Sequence, residues 1–521
     1  MVYFRLTGAM IFCALSACGG SGSSTSPSPI SSPISSPTPS PAPSQSDPVS
    51  SIDEHLPGGS ASVNITNSDA FSKRSANLTD NERIIRFNLG NDFFENPWVS
   101  GSASTSSRDG LGALFNNNAC QDCHIRDGRG HAPNACELGD ECDFGSLLFR
   151  AARVNISDEQ ALAMAQSLRA NVGDSSVGGQ LQHDSIVGVQ AEVNLGVAYT
   201  EREFVYSDGE TTVVREPVWQ FESSYVALGY DFDADIALSP RVAPPMIGLG
   251  LVALISELDI VAREDVNDAD GDGVSGRANY VWSIEEERVM LGRFGWKAGQ
   301  PSLIEQAAGA FLNDMGLTSR IHKEEPCLSH QHDCLAAENG NGDAVEDYNY
   351  EVSDKILDSI AFYSANLAVP QRRNAYANNV QNGKRLFIGA GCIDCHTEQY
   401  ETESSADFPE LSNQRIFPYS DFLLHDMGEN LAGFDIDNHT LGDDVRVEFL
   451  ASAREWRTPP LWGLGLAKVV DTNANFLHDG RARNIMEAVL WHGGEAENSK
   501  QAVLNLSAAE RIDLLAFLND L

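Results

Sequence analysis

Two cysteines three apart, with a histidine directly after the second, occur twice in this chain, as Cys120-Gln121-Asp122-Cys123-His124 and as Cys392-Ile393-Asp394-Cys395-His396. Covalent attachment of c-type haem requires this pattern: the thiols add across the two haem vinyl groups and the adjacent imidazole becomes the proximal ligand of the iron. With only 10 Cys and 12 His among 521 residues, two accidental copies are very improbable. A zinc knuckle needs four clustered ligands, and a dithiol redox pair needs no histidine after the second cysteine, so neither rival accounts for both histidines. The expected cofactors are therefore two covalently bound haem c groups.

Further residues could act around such haems. A buried carboxylate beside an open haem face can carry a proton between the two oxygens of bound peroxide, and Gln182 and Glu192 are singled out for that role. Arg126 and Arg129, in the loop after the first motif, could reach a haem propionate. Asp268-Ala-Asp270-Gly-Asp272-Gly273-Val274 matches the first half of an EF-hand loop, with Asn279 where the bidentate Glu would stand. Calcium held by Asp268, Asp270, Asp272 and the Val274 carbonyl is the expectation. The second haem needs a sixth ligand, for which His425, Met427, His439, His478 and His492 are open candidates.

The elements that must position these groups read as helices with one β insertion. Ser157-x-x-Gln160 and Ser507-x-x-Glu510 are capping boxes opening helices. Helical periodicity runs from Ser353 to Leu367, stopped before Pro370, and Gly383 to Cys392 reads as a helix leading into the second motif. Pro244 opens an apolar helix reaching Ile255. Val197 to Phe221, with Asp208-Gly209 between two alternating runs, reads as a β-hairpin. Four further cysteines form two local pairs, Cys136-Cys142 and Cys327-Cys334, expected as disulfides in an oxidising compartment. Zinc held with His131, His330 and His332 is the alternative there.

Residues 1–17 carry Arg5 and a short apolar run, an export signal. Leu15-Ser16-Ala17-Cys18 resembles the bacterial lipobox, which implies lipidation of Cys18; Gly19 after it implies outer-membrane sorting, with the globular part in the periplasm or at the cell surface. Residues 18–52 are mostly Ser, Pro, Thr and Gly and cannot bury a core, so they form a tether. The remaining length supports two cores, expected as an N-terminal haem domain over 53–370 and a C-terminal one over 371–521. A net charge of −39 argues against nucleic acid and suits either a solvated surface or attraction of a basic electron donor.

Phe476-Leu-His478-Asp479-Gly480, Ile485-Met-Glu487-Ala488-Val489 and Arg457-Thr458-Pro459-Pro460-Leu461 resemble segments of bacterial di-haem cytochrome c peroxidases and of the methylamine-utilisation di-haem enzyme. With Gly110 to Gly130, Pro244 to Leu251, Asp268 to Asn279 and Gly292 to Pro301, they make the chain from about Ala70 similar to the di-haem oxidoreductase family, also labelled thiol oxidoreductase-like. The resemblance implies a mainly α fold of two cytochrome c-like modules, the first enlarged by the hairpin and loops. It implies His492 as distal ligand of the second haem, where relatives carry Met or Tyr, and Gln182 and Glu192 keep the order and spacing of the peroxidase Gln and catalytic Glu. Trp296 is a candidate for a tryptophan between the haems. The function implied is a peroxidase, reducing peroxide at the first haem with electrons passed through the second from a small cytochrome or cupredoxin. A dioxygen-using, rubber-oxygenase-like enzyme and a pure electron carrier are the alternatives. A thiol oxidoreductase is discounted, since thioether-bound cysteines cannot cycle.

Overall fold

The Asp80 side chain accepts a hydrogen bond from the Arg83 amide at 3.0 Å and caps the helix Asn81–Glu95, which ends where Asn96 turns extended ahead of Pro97. The helix Asp354–Ala365 crosses it at Gly90, where a Cβ would sit 2.2 Å from the Ser359 carbonyl oxygen. Only glycine lets two backbones approach that closely. Phe87 and Phe94 of the first helix pack on Tyr363 of the second, with ring centroids 4.8 and 5.3 Å apart, and Phe94 also approaches the His124 ring. This crossed pair backs the first haem motif, which is itself a single helical turn, Cys120–Cys123.

The structure is a computed structural model that describes residues 54–521 except 102, 106, 141, 339 and 341–349. The signal at 1–17, Cys18 and the tether at 18–52 lie outside the described residues. Those from 54 onward belong to one compact unit.

The expectation of a mainly α fold built from two cytochrome c-like modules is wrong. Helix makes up 30% and strand 20%, in many small sheets, so the fold is mixed α/β. The helices exist where capping and periodicity place them, but they are short. Both capping boxes form, and they open Asp158–Ala165 and Ala508–Asp520. The apolar helix expected to reach Ile255 is only Leu249–Ala253. Between helices the chain pairs with distant segments, which local periodicity does not reveal. Leu147–Arg153 lies antiparallel to Ile236–Val242 along its whole length and to Gln180–Leu181 on its other side. Pro240 reads against a strand, yet Ile236–Val242 is the edge of that three-stranded sheet, where proline is tolerated. The expected hairpin is present and longer than its sequence signal, Val193–Val205 against Thr211–Ser223.

Around the second motif, the helix Asn378–Gly389 packs on Ala508–Asp520, so closely that a Cβ on Gly383 would meet the Asp513 carbonyl oxygen at 2.0 Å. Phe387, Tyr419 and Phe517 form an aromatic group there, continuous with Trp491 and Leu514. A second core, with Phe149, Trp219, Trp296 and Trp456, joins the sheet and hairpin to the region between the two motifs.

Candidate functional site

His124 emerges from the Cys120–Cys123 turn, and its Nδ1 lies 2.8 Å from the Pro244 carbonyl oxygen. A carbonyl can only accept, so Nδ1 carries the proton and Nε2 keeps its lone pair for a metal. Burial pushes the imidazole down to about 4, which keeps it neutral. Burial also raises the Cys120 thiol to about 12 and lifts Cys123, while Cys123 donates to the Gly145 carbonyl at 2.9 Å. These are protonated thiols, unlike the low-pKa thiolates of dithiol redox enzymes. The four motif cysteines form no disulfide. Cys120, Cys123 and His124 line a cavity of about 530 Å³, within the roughly 300–1,000 Å³ typical of cofactor sites.

At the second motif two imidazoles face one cavity of about 190 Å³. His396 Nδ1 donates to the Tyr419 carbonyl at 2.9 Å and His492 Nδ1 to the Ala488 carbonyl at 2.7 Å, leaving both Nε2 atoms available. Burial lowers His396 to about 4 and depresses His492 as well, so both are neutral ligands in waiting. The other sixth-ligand candidates divide cleanly. Nε2 of His425 meets Asp421 at 2.8 Å and its Nδ1 meets Glu495 at 2.6 Å, so both nitrogens donate and no lone pair remains. Although burial opposes it, this carboxylate pair holds His425 well above its ordinary value, as an imidazolium. His439 is exposed against Asp435 and lines neither cavity. Met427 and His478 line the second cavity, His478 stacked on Trp456 with centroids 3.6 Å apart and its Nε2 buried without a partner.

Three buried side chains line both cavities: Arg129, Trp296 and Arg457. The indole of Trp296 donates to the Val242 carbonyl at 2.8 Å and lies 5.7 Å from the Arg129 guanidinium. Among the described residues the arginine side chains bond only to carbonyl oxygens: Arg129 to Asn475 and Leu477 at 2.7 and 3.1 Å, and Arg457 to Gly295 and Thr458 at 2.9 and 3.1 Å. Burial lowers each to about 10. A dehydrated cation without a bonded anion is costly; the Asp421 charge offsets part of that cost at Arg457 and none does so at Arg129 among the described residues, so both positions suit carboxylates brought by a ligand. Haem propionates are such carboxylates, and with the free thiols and neutral imidazoles the residues present fit two haem groups.

Glu192 and Gln182 do not reach the first cavity. Glu192 is buried behind its wall, with Oε1 accepting from Gln331 at 2.6 Å and Oε2 from the Gln182 amide at 2.8 Å. Gln182 spends its side-chain amide on the Asn313 carbonyl at 3.0 Å. Burial raises the Glu192 carboxyl to about 8. The charged and acid–base groups that do line the cavity include Arg150, Asp314 and His322, none of which the sequence reading named. They come from the strand Leu147–Arg153, the end of the helix Leu303–Met315 and the turn after it, and no spacing links them; the scarcity of histidine was the one available signal.

In the acidic loop the carboxylate oxygens of Asp265, Asp268 and Asp270 lie within 4.8 Å of one another. Asp265 was missed because it precedes the EF-hand pattern. Asp272 is not of this group; its Oδ1 accepts from the Val274 amide at 2.8 Å. Asn279 is buried and bonds to the Lys297 carbonyl at 2.7 Å, away from any ligand role. Asp270 and Asp272 help raise Asp394, after burial, so the loop stands beside the second motif. Cys136 is bonded to Cys142 and Cys327 to Cys334. Among the described residues no group of three metal-ligating side chains gathers at either disulfide, and no helix is long and apolar enough to cross a membrane.

No curated protein matches the chain. The family model described as "Di-haem oxidoreductase, putative peroxidase" matches residues 53–521, and that span holds both Cys-x-x-Cys-His motifs and both cavities; the chain belongs to this family of di-haem oxidoreductases.

Proposed function

We propose that the protein is an exported c-type di-haem peroxidase that reduces peroxide in the first cavity with electrons received through the second. The observation that carries this reading is the inequality of the cavities: about 530 Å³ beside the first motif's His124, against about 190 Å³ lined by both His396 and His492. Haem thioether-linked in the first cavity would supply an iron that binds peroxide and accepts electrons. Cys120, Cys123 and His124 hold it from one side, and Arg129 and Arg457 neutralise carboxylates at the wall shared with the second site. Cys392, Cys395, His396 and His492 close the second site on both faces, which suits electron passage and excludes substrate. Trp296 fills the space between them.

The donor in this reading is a small cytochrome or cupredoxin, and the setting is periplasm-facing, with Cys18 lipidated and inserted in the outer membrane. Calcium is assigned to the acidic loop, with Asp268, Asp270 and the Val274 carbonyl kept as donors and Asp265 taking the place of Asp272. Paramagnetic resonance and stopped-flow mixing of the reduced holoprotein with peroxide and, separately, with dioxygen test the proposal. One high-spin and one low-spin centre with fast oxidation by peroxide is the expected result. Two low-spin centres that peroxide leaves unchanged would make it an electron carrier, and a selective reaction with dioxygen would make it an oxygenase.

A further inference from the structure

A group that moves a proton on a bound peroxide must face the first cavity, be unprotonated at rest, and not be used up by another bond. Most acidic groups round that wall fail one condition. The two oxygens of Glu305 accept from the Ser283 hydroxyl at 2.6 Å and the Ile284 amide at 2.9 Å. Glu448 is paired with Arg241 at 2.7 Å. Asp314 accepts from Gln180 at 2.9 Å on one oxygen, and burial raises its carboxyl toward the protonated form.

His322 meets all three conditions. Its imidazole lines the cavity and neither ring nitrogen has a hydrogen-bond partner among the described residues. Its backbone is fixed by a tight turn, in which the Ser319 amide donates to the His322 carbonyl at 2.7 Å and the His322 amide donates to the buried Ser319 hydroxyl at 3.3 Å. Burial first, and then the nearby Arg150 guanidinium, push the imidazole below its ordinary value, so it is neutral at neutral pH. Arg150 lines the same cavity, and no protein hydrogen bond occupies its guanidinium among the described residues.

We propose that His322, assisted by Arg150, is the acid–base residue of the first cavity, with peroxide as its proton donor and acceptor. This rests on the peroxidase reading above. With haem in the cavity, one peroxide oxygen would give its proton to the free imidazole nitrogen. The O–O bond then breaks with both its electrons going to the other oxygen, which takes that proton from His322 and departs as water. Arg150 stabilises the charge on the departing oxygen. Two electrons from the small donor protein and two protons from solvent complete the conversion of one peroxide into two waters.

The test uses the full-length holoprotein, with three readouts: the peroxide rate against pH, cyanide association followed in the Soret band, and the spin state of each haem. Hydrogen cyanide sheds a proton on binding ferric iron, so its capture reports a base without turnover. His322→Gln should slow the peroxide reaction on the order of 10²–10⁴-fold, slow cyanide capture, and remove the acid limb of the rate profile, with haem content and spin states unchanged. The charged groups round the same cavity are Arg129, Arg150, Arg241, Arg293, Arg457, Glu305, Asp314 and Glu448, and Arg150 is the one whose charge acts on His322. Of these, loss of Arg150 in Arg150→Gln should move the acid limb to higher pH by releasing the neutral imidazole from its cation. Parent-like peroxide and cyanide rates in His322→Gln overturn the proposal. So does equal loss in Asp314→Asn alone, or a low-spin to high-spin change at the first haem on losing His322, which would make that residue an iron ligand. If the unmutated protein ignores peroxide while His322→Gln still slows cyanide capture, the peroxidase reading fails and the base assignment stands.

Discussion

The two Cys-x-x-Cys-His motifs share four of their five residues and one arrangement of the histidine, whose Nδ1 donates to a backbone carbonyl in each, Pro244 in the first and Tyr419 in the second. What lines the cavities beside them differs. The cavity at His124 is larger and takes Arg150, His322 and Asp314 into its wall; the one at His396 is smaller and adds His492 and the apolar side chains of Leu431, Leu464 and Ile485 to its own charged groups. In the proposed reading a motif of five residues holds each haem, whereas the rest of each cavity wall comes from segments distant in sequence. In that reading one site admits a small molecule and the other excludes it.

The comparison breaks most completely if the motifs are not equivalent holders. Replacing Cys120 and Cys123 together by serine, or Cys392 and Cys395 together, should each remove one of two covalently bound haems, read as half the haem stain on a denaturing gel, and either should abolish peroxide turnover. Full stain in one double variant would show that its motif does not attach haem. Next in size is His492→Ala, which should convert the low-spin centre to high-spin while the first haem is untouched. An unchanged spectrum would transfer the sixth-ligand role to Met427 or His478.

What was legible in the sequence follows the same division. The two Ser-initiated capping boxes and the Asp208-Gly209 turn are local codes, and each forms where it is written. The sheet of Leu147–Arg153 with Ile236–Val242 and Gln180–Leu181 is not local, and with it went the fold class, since strands that pair across such separations leave no helical or alternating signature of their own. The same sheet brings Arg150 to the first cavity, so missing the strand also meant missing the residue. Glu192 kept a peroxidase-like spacing from Gln182, but spacing along a chain says nothing about which side of a cavity wall a carboxylate lands on.

A third prediction concerns how rigidly the second site is held. Glu54 is wholly buried and accepts hydrogen bonds from Arg372, Lys384 and the Tyr419 hydroxyl, while the Tyr419 carbonyl accepts from His396. Burial by itself would raise the Glu54 carboxyl, but the Arg372 and Lys384 cations outweigh it and hold it below its ordinary value. Glu54→Gln leaves buried cations under-compensated and should cost about 3–5 kcal/mol in denaturant unfolding. Because the folded carboxyl titrates below the unfolded one, its contribution is complete above the unfolded value of about 4.5 and is lost as pH falls through the lower folded value. The variant should therefore lose its deficit relative to the parent as pH is lowered through that window. The reduction potential of the second haem should shift with it and that of the first should not; equal shifts in both would deny the asymmetry.

The smallest expected effect also separates the sites. If calcium occupies the loop at Asp265, Asp268 and Asp270, its binding stabilises the folded chain by mass action, by about 2.7 kcal/mol at a hundredfold excess over the dissociation constant. The loop stands against the second motif, where Asp270 and Asp272 act on Asp394, and Ser275 just beyond it bonds to Glu495, the carboxylate that clamps His425. Chelation should therefore lower the melting temperature modestly, disturb the second haem's spectrum and slow its reduction by the donor. Cyanide binding in the first cavity should stay unchanged. Asp270→Asn should reproduce the effect without chelator and be indifferent to added calcium. If chelation alters the first site as much as the second, the loop supports the whole protein, and the claim that the two sites are positioned independently fails.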